Sequence, residues 1–434
     1  MTTPRSETQT GPAAVAGAGG GAADILVLGA GIIGVCVAAS LAMRGQSVVI
    51  VDRRGPGEET SYGNAGLIQR EGVYPYGFPH DFGALLRYAF NRTIDAYYHL
   101  SALPALAPFL YRYWRHSAVR SHDAIARLYE PLIRRCVDEH RAMAAAAGAG
   151  HLLRPGGWLK VFRTARERDL RFAEAARWKR DFGVGYRELT PDELATAEPF
   201  LTPGLAGALH WTDPWTVNDP HALCLAYMQL AMKHGARFVQ ANALSLESHG
   251  AGWRVRAGAG WAEGREAVIA LGPWSGDLAA RLGYDLPLAV KRGYHMHFAA
   301  AGAARLNHPV LDVERGYFLA PMRQGVRLTT GAEFALRDAP RTPVQLMRAE
   351  PVAREFFPLG ERLEPQPWMG ARPCTPDMLP VIGPAPRHHR LWFAFGHAHH
   401  GLTLGPVTGR LVAEMIAGET PFVDPAPFAA SRFR

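Results

Sequence analysis

Two apolar runs near the N-terminus frame the chain. Ile25-Leu26-Val27-Leu28 ends in Gly29-Ala30-Gly31-Ile32-Ile33-Gly34, and Ser47-Val48-Val49-Ile50-Val51 ends in Asp52. This pattern predicts a strand, a tight turn, a helix and a second strand. Residues 25–43 carry no charge, so length alone allows a membrane span. The three spaced glycines and the following strand explain the same residues better. Residues 80–148 predict helices. Within them Leu106, Phe109, Leu110, Tyr113 and Trp114 recur near helical spacing beside Arg112 and Arg115. That is either a helix with one buried face or a membrane-surface contact. A strand is predicted over 157–162, a charged helix over 165–182, a helix start at 190–194 and a helix over 220–234. Four strands are predicted over 237–240, 243–247, 253–256 and 266–271. Alternation over 291–299, 317–322 and 326–330 predicts an antiparallel sheet. Short apolar strands at 379–383 and 391–395 and a final helix over 406–416 close the pattern.

The predicted fold class is α/β: a Rossmann-type dinucleotide domain with a second α+β substrate domain carrying a mainly antiparallel sheet. The first is assigned to 23–73, 215–290 and 367–420, the second to 74–214 and 291–366. Residues 1–22 are Thr-, Gly- and Ala-rich and read as a disordered tail; 421–434 read as a C-terminal tail.

Charge and cysteine change the picture little. The 434-residue chain has a net charge of +8, but its arginines are scattered with no basic run, which argues against a nucleic-acid partner. Attraction to carboxylate substrates or to an anionic membrane surface fits better. Cys36, Cys136, Cys224 and Cys374 lie far apart with no CxxC pair, so no metal site follows, and a reducing cytoplasm is the expected setting.

The opening motif has a definite chemistry. Gly29 permits a tight turn, Gly31 lets backbone approach a pyrophosphate, and Gly34 allows close helix–sheet packing. The helix N-terminus offers N–H groups to phosphates, and Asp52 offers a carboxylate to ribose hydroxyls. The loop Thr60-Ser61-Tyr62-Gly63-Asn64-Ala65-Gly66-Leu67 is small and polar enough to run beside a cofactor. Ala270-Leu271-Gly272-Pro273-Trp274 is a second strand-to-glycine turn.

Together with Gly370-Ala371-Arg372-Pro373-Cys374-Thr375-Pro376-Asp377 and Gly396-His397-Ala398-His399-His400-Gly401-Leu402-Thr403, these motifs resemble the D-amino-acid oxidase and dehydrogenase superfamily of flavoproteins. The bacterial D-amino-acid dehydrogenase branch (small-subunit type) is the nearest likeness. The resemblance implies FAD rather than NAD. It implies cofactor contacts from Gly29, Gly31, Ile32, Ile33, Gly34, Asp52, Arg53, Thr60, Ser61, Asn64, Ala65, Gly66, Leu67, Gly272, Trp274, Gly370, His397, Gly401, Leu402 and Thr403. Arg372 matches the arginine that holds the substrate carboxylate in glycine oxidase and its relatives, a structural ion pair being the other reading. Tyr317 matches a substrate-facing tyrosine, or is a packed sheet aromatic. His399 stands where glycine oxidase has a second carboxylate-binding basic residue. Tyr294, His295 and Asp219 are expected behind the substrate. Sarcosine oxidases bond their flavin to a cysteine where this chain has Gly370, so the FAD is expected to be non-covalent.

The implied reaction is oxidative deamination of a D-amino acid, with the Cα hydrogen passing as hydride to flavin N5 and the electrons then to a quinone or other acceptor. The protein is then expected in the cytoplasm, open to a peripheral position on the inner face of the cell membrane. Alternatives are D-proline or cis-4-hydroxy-D-proline dehydrogenation, for which the aromatic segment 211–215 suits a ring; a glycine- or sarcosine-type oxidase; and a flavin-bearing subunit without turnover. The amino acid, the electron acceptor and the oligomeric state stay open.

Overall fold

The computed structural model describes residues 22–433; the proposed tail over 1–22 lies outside them except for Ala22. β1 (Ala23–Leu28), α1 (Ile32–Ala42) and β2 (Val48–Asp52) form the expected unit. After a long loop come α2 (Phe82–Ala89), α3 (Leu103–His116) and the helices Val119–Ile133 and Cys136–Ala146. α4 (Pro220–Lys233) leads into β3 (Arg237–Gln240) and β4 (Gly260–Ile269). β5 (Ala289–Ala300), β6 (Tyr317–Met322), β7 (Gly325–Thr329) and β8 (Trp368–Cys374) follow, then β9 (Leu391–Phe395) and α5 (Gly401–Ile416).

The first sheet runs β3-β2-β1-β4-β9, each neighbour parallel to the next. Val27 pairs with Ile50 on one side and Val268 on the other. Helices cover one face and a second apolar cluster the other, so both faces are buried. That is why these strands read as continuous apolar runs rather than as alternation. The strand order reverses beside β1, where doubly wound sheets bind ligands. On the helical face α5 lies close along α1. A Cβ on Gly405 would sit 3.0 Å from Cys36 Sγ, and one on Gly409 only 2.5 Å from the Cys36 carbonyl oxygen.

The second sheet is mainly antiparallel and centres on β5, which pairs with β7 on one side and β8 on the other. One face packs Tyr294, Met296, Phe298, Leu319 and Leu328 into a separate core with Phe356. β8 pairs in this sheet even though its loop joins the cofactor side.

Three local expectations change. Over 243–247 the chain makes a 3-10 turn, Ala243–Ser245, because the Asn242 side chain accepts from the Leu244 N–H at 3.0 Å; a short strand starts only at Glu247. The segment after 420 is packed rather than loose: Phe428 is buried and the Arg432 guanidinium pairs with Asp377 at 2.8 Å. α5 begins at Gly401, not Pro406. Proline inside a helix frees the carbonyl four residues back, and here the freed Leu402 carbonyl accepts from His140 Nε2 at 2.7 Å. Among the described residues no helix is long and apolar enough to cross a membrane; residues 25–43 are divided between β1 and α1.

Candidate active site

A cavity of about 770 Å³ runs from the β1–α1 turn to the β5–β8 wall of the second sheet. At its first end the glycines do what their spacing requires. Gly29 adopts φ +111°, and a Cβ on it would lie 2.3 Å from the Ala270 carbonyl oxygen. A Cβ on Gly34 would lie 1.9 Å from the Gly29 carbonyl oxygen, so α1 can approach the turn only with glycine there. At Gly31 a Cβ would meet nothing closer than Ser61 Oγ, at 3.3 Å, which leaves space against bare backbone. Ser61 Oγ accepts from the Ile32 N–H at 2.9 Å. The Asp52 carboxylate accepts from the Ala30 and Arg54 N–H groups at 2.7 and 3.0 Å, so it braces the turn as well as facing the cavity.

The remaining cofactor candidates divide between wall and support. Gly29, Gly31, Ile32, Ile33, Asp52, Arg53, Thr60, Ser61, Asn64, Ala65, Leu67, Gly272, Trp274, Gly370, His397, Gly401 and Leu402 line the cavity. The Arg53 guanidinium lies 4.3 Å from the Trp274 ring centre, and Thr60 Oγ1 donates to the Ala371 carbonyl at 2.9 Å. Gly34, Gly66 and Thr403 are not on the wall. Gly34 serves helix packing, Gly66 is the turn held by Asn64 Oδ1 at 2.8 Å, and Thr403 Oγ1 donates to the Leu67 carbonyl at 3.2 Å. His397 is buried against Thr408 at 2.9 Å, and burial pushes its imidazole down to about 3.

These residues fit an FAD. α1 and α5 both point their N-termini toward this one cavity, and neither carries an acidic residue in its first turn or a cap from its own N-cap side chain, although Ser61 Oγ takes the Ile32 N–H of α1. Such helix starts present N–H groups and positive dipole ends to anions. Sequence reasoning missed one support. Arg327, buried on β7, donates to the Asn64 carbonyl and through Nε to His297 Nε2 at 2.9 Å. His297 therefore keeps its proton on Nδ1, toward Glu364.

At the far end Arg372 lines the cavity from β8. Its only bond is to the Gly331 carbonyl at 3.4 Å, and it has no carboxylate partner among the described residues. A structural ion pair is thus not its role. His399 packs against Tyr76 with ring centres 4.6 Å apart and planes tilted by 47°. Burial, then the nearby Arg372 and Lys291 charges, hold the His399 imidazole well below its usual range, so it is neutral. Lys291, Tyr113, Phe334 and Leu110 complete this end. The α3 helix therefore does bury one face, through Leu106, Phe109 and Tyr113, while Tyr111 and Trp114 stay exposed.

Tyr317 takes the other of its two readings. It borders the cavity, but its ring packs edge-on against Phe356 in the second core and its hydroxyl faces the Val352 carbonyl at 3.5 Å. Strand alternation puts its neighbour Phe318 on the opposite face, where it packs against Trp158 and lines the cavity. Tyr294 and His295 are not on the wall. Tyr294 donates to Glu333 at 2.9 Å, and His295 stacks on Trp368 at 4.8 Å. Asp219 caps α4 and pairs with Arg323 at 2.8 Å. Trp211 stacks on Trp178 at 5.4 Å, which makes the 211–215 segment packing rather than pocket.

A model of the FAD dependent oxidoreductase family matches residues 24–415. The chain belongs to this family. A D-amino-acid oxidase of Bradyrhizobium diazoefficiens is 30% identical over 426 residues, covering 94% of this chain and 98% of that one. A D-amino acid dehydrogenase of Chromohalobacter salexigens is 30% identical over 431 residues, covering 94% and 99%. The crystal structure of glycine oxidase from Geobacillus kaustophilus superposes with a TM-score of 0.70 at 25% identity, covering 94% of this chain and 98% of that one. This FAD-dependent oxidoreductase thus has the cofactor that its two helix starts, free of acidic residues in their first turns, suit.

Proposed function

We propose that this chain oxidises D-amino acids at Cα, as a dehydrogenase carrying non-covalent FAD. The observation that carries the reading is Arg372, a cation on the cavity wall without a carboxylate partner among the described residues, at the opposite end from the dinucleotide turn. FAD, when bound, supplies a two-electron acceptor. The chain supplies orientation and charge. A guanidinium can hold a carboxylate through two parallel hydrogen bonds and so fix the direction of the Cα–H. Positive charge nearby disfavours the ammonium form of the substrate, which eases loss of the amine proton before C–H cleavage. Tyr113, Phe318 and Phe334 give apolar walls for the side chain. The imino acid that results is hydrolysed by water to a 2-oxo acid and ammonia, or stays cyclic for a proline substrate. The D-amino-acid names of the two curated relatives support the substrate class.

The electron acceptor is proposed to be a membrane quinone reached from the α2–α3 face. Leu85, Tyr88, Leu103 and Leu110 of these helices line the cavity, while Phe82, Leu86, Phe90, Leu100, Tyr111 and Trp114 are exposed on the same segment. Exposed aromatics flanked by Arg87, Arg112 and Arg115 suit an anionic bilayer surface.

The test is anaerobic mixing of the purified yellow holoenzyme with D- and L-amino acids. Bleaching by D- but not L-enantiomers is the expected result, and no bleaching by any amino or imino acid refutes the reading. In air, little peroxide and fast turnover with a quinone analogue are expected; stoichiometric peroxide makes the enzyme an oxidase.

A further inference from the structure

The wall that carries Arg372 carries a second cation that the reaction above does not use. Lys291 of β5 stands directly opposite Arg372 in the antiparallel β5–β8 pair. Side chains at such positions rise from the same face, with Cβ atoms about 5 Å apart. The Arg372 guanidinium lies over Gly293, the next residue on that face, where a Cβ would come within 2.6 Å of it. Like charges facing each other across a sheet repel.

Among the described residues nothing acidic offsets the pair. Lys291 is 2% exposed, yet its Nζ meets Met378 Sδ at 3.9 Å and the ring centres of Tyr113 at 3.8 Å and Phe334 at 5.6 Å. No oxygen accepts from it among the described residues, although it borders the cavity. A buried and a half-buried cation side by side, without a counter-ion among the described residues, are costly to a fold. The arrangement makes sense where an anion enters between them. The third basic group at this end, His399, is neutral and contributes at most an N–H.

We infer that Lys291 is the second cation of the carboxylate clamp, gripping one substrate carboxylate together with Arg372 in the role first expected of His399. A carboxylate has two oxygens and about four lone-pair sites, enough to meet a guanidinium and an ammonium at once. This inference rests on the amino-acid reading, but it is tested separately below.

The groups facing Lys291 are Arg372 and Cys374 on β8, Tyr113 on α3, and His399. Burial raises the Cys374 thiol and the Tyr113 phenol, and His399 is already neutral. Burial and the Arg372 charge bring Lys291 down to about 8. Lys291 is therefore the group of this set that loses its charge on passing from neutral to mildly alkaline pH.

The experiment uses the holoenzyme and benzoate as an anionic probe, with binding read from the flavin absorbance and by calorimetry. Lys291→Met is expected to weaken benzoate binding about 10- to 100-fold, as loss of a charged hydrogen bond does. It should raise KM for D-alanine in the same proportion and change kcat little. Lys291→Arg should restore binding and remove the alkaline loss of affinity near pH 8 seen in the wild type. Unchanged benzoate affinity in Lys291→Met overturns the inference. So does a defect confined to D-aspartate and D-glutamate, which would assign Lys291 to a side-chain carboxylate. If Lys291→Met does not fold, a wild-type benzoate affinity that stays flat through pH 8 overturns it equally. Lys291-dependent benzoate binding without turnover of any amino acid would leave the clamp standing and remove the proposed function.

Discussion

Arg372→Met separates a substrate clamp from a structural arginine. Methionine keeps much of the side-chain length and the apolar contacts but removes the charge. In the folded protein Arg372 makes one long bond to a carbonyl and faces Lys291 across the strand pair. Burial holds its guanidinium below its ordinary range, a sign that the fold bears the charge rather than gains from it. Replacing a half-buried cation without a carboxylate partner among the described residues by an apolar group should be neutral or stabilising by about 1–2 kcal/mol. In a chain of this size that raises Tm by a few degrees at most. Catalysis should move the other way. Losing a bidentate charged contact costs about 3–5 kcal/mol, so kcat/KM should fall roughly 10²- to 10⁴-fold, mostly through KM. The assay pairs calorimetric melting of the holoenzyme with steady-state kinetics on the preferred D-amino acid. A variant that melts well below wild type and keeps its kcat/KM would refute the reasoning, because that is the signature of a structural arginine.

Other perturbations follow from the same geometry. Gly34→Ala puts a Cβ 1.9 Å from the Gly29 carbonyl oxygen, so α1 must move off the turn; the purified variant should retain little flavin at 450 nm or fail to fold, and a normal yellow protein contradicts this. His140→Leu leaves the Leu402 carbonyl without its donor and should lower urea stability by about 1–3 kcal/mol. Burial holds the folded imidazoles of His140 and His400 near 4 and that of His397 near 3. The unfolded state therefore binds more protons below the unperturbed histidine value. Their stabilisation is complete above that value and is lost as pH falls from about 6.5 toward 4, each contributing about 1–2 kcal/mol of loss between pH 7 and pH 5. Urea titrations at those two pH values check this, and a flat profile would show that these rings are not held neutral.

The first half of the site could be read from sequence because its chemistry is local. Gly29, Gly31 and Gly34 lie in one short turn; Gly34 is required by the Gly29 carbonyl and Gly29 by Ala270, just past β4. The sheet classes were legible from period: continuous apolar β1 and β2 against alternating β5 and β6. What alternation cannot tell is which face meets a cavity: Tyr317 and Phe318 both border it, Tyr317 with its ring in the second core and Phe318 against Trp158. Lys291 was visible as a strand residue, but its meaning depends on Arg372, brought opposite it only by the β5–β8 pairing. Pro406 looked like a helix start because the donor that repairs the ladder, His140, comes from a distant helix. Asn242 hid the turn at 243–245 inside a run that reads as strand.

The seam where Gly405 and Gly409 let α5 press on α1 joins two backbone anchors into one solid block. The distance between the helix starts is then a property of the helix pair, fixed like the jaws of a caliper set to one length. A side chain added at either glycine would reset that gauge far from any reacting atom. Such a change would tell against a dinucleotide of this span while leaving each individual anchor chemically intact.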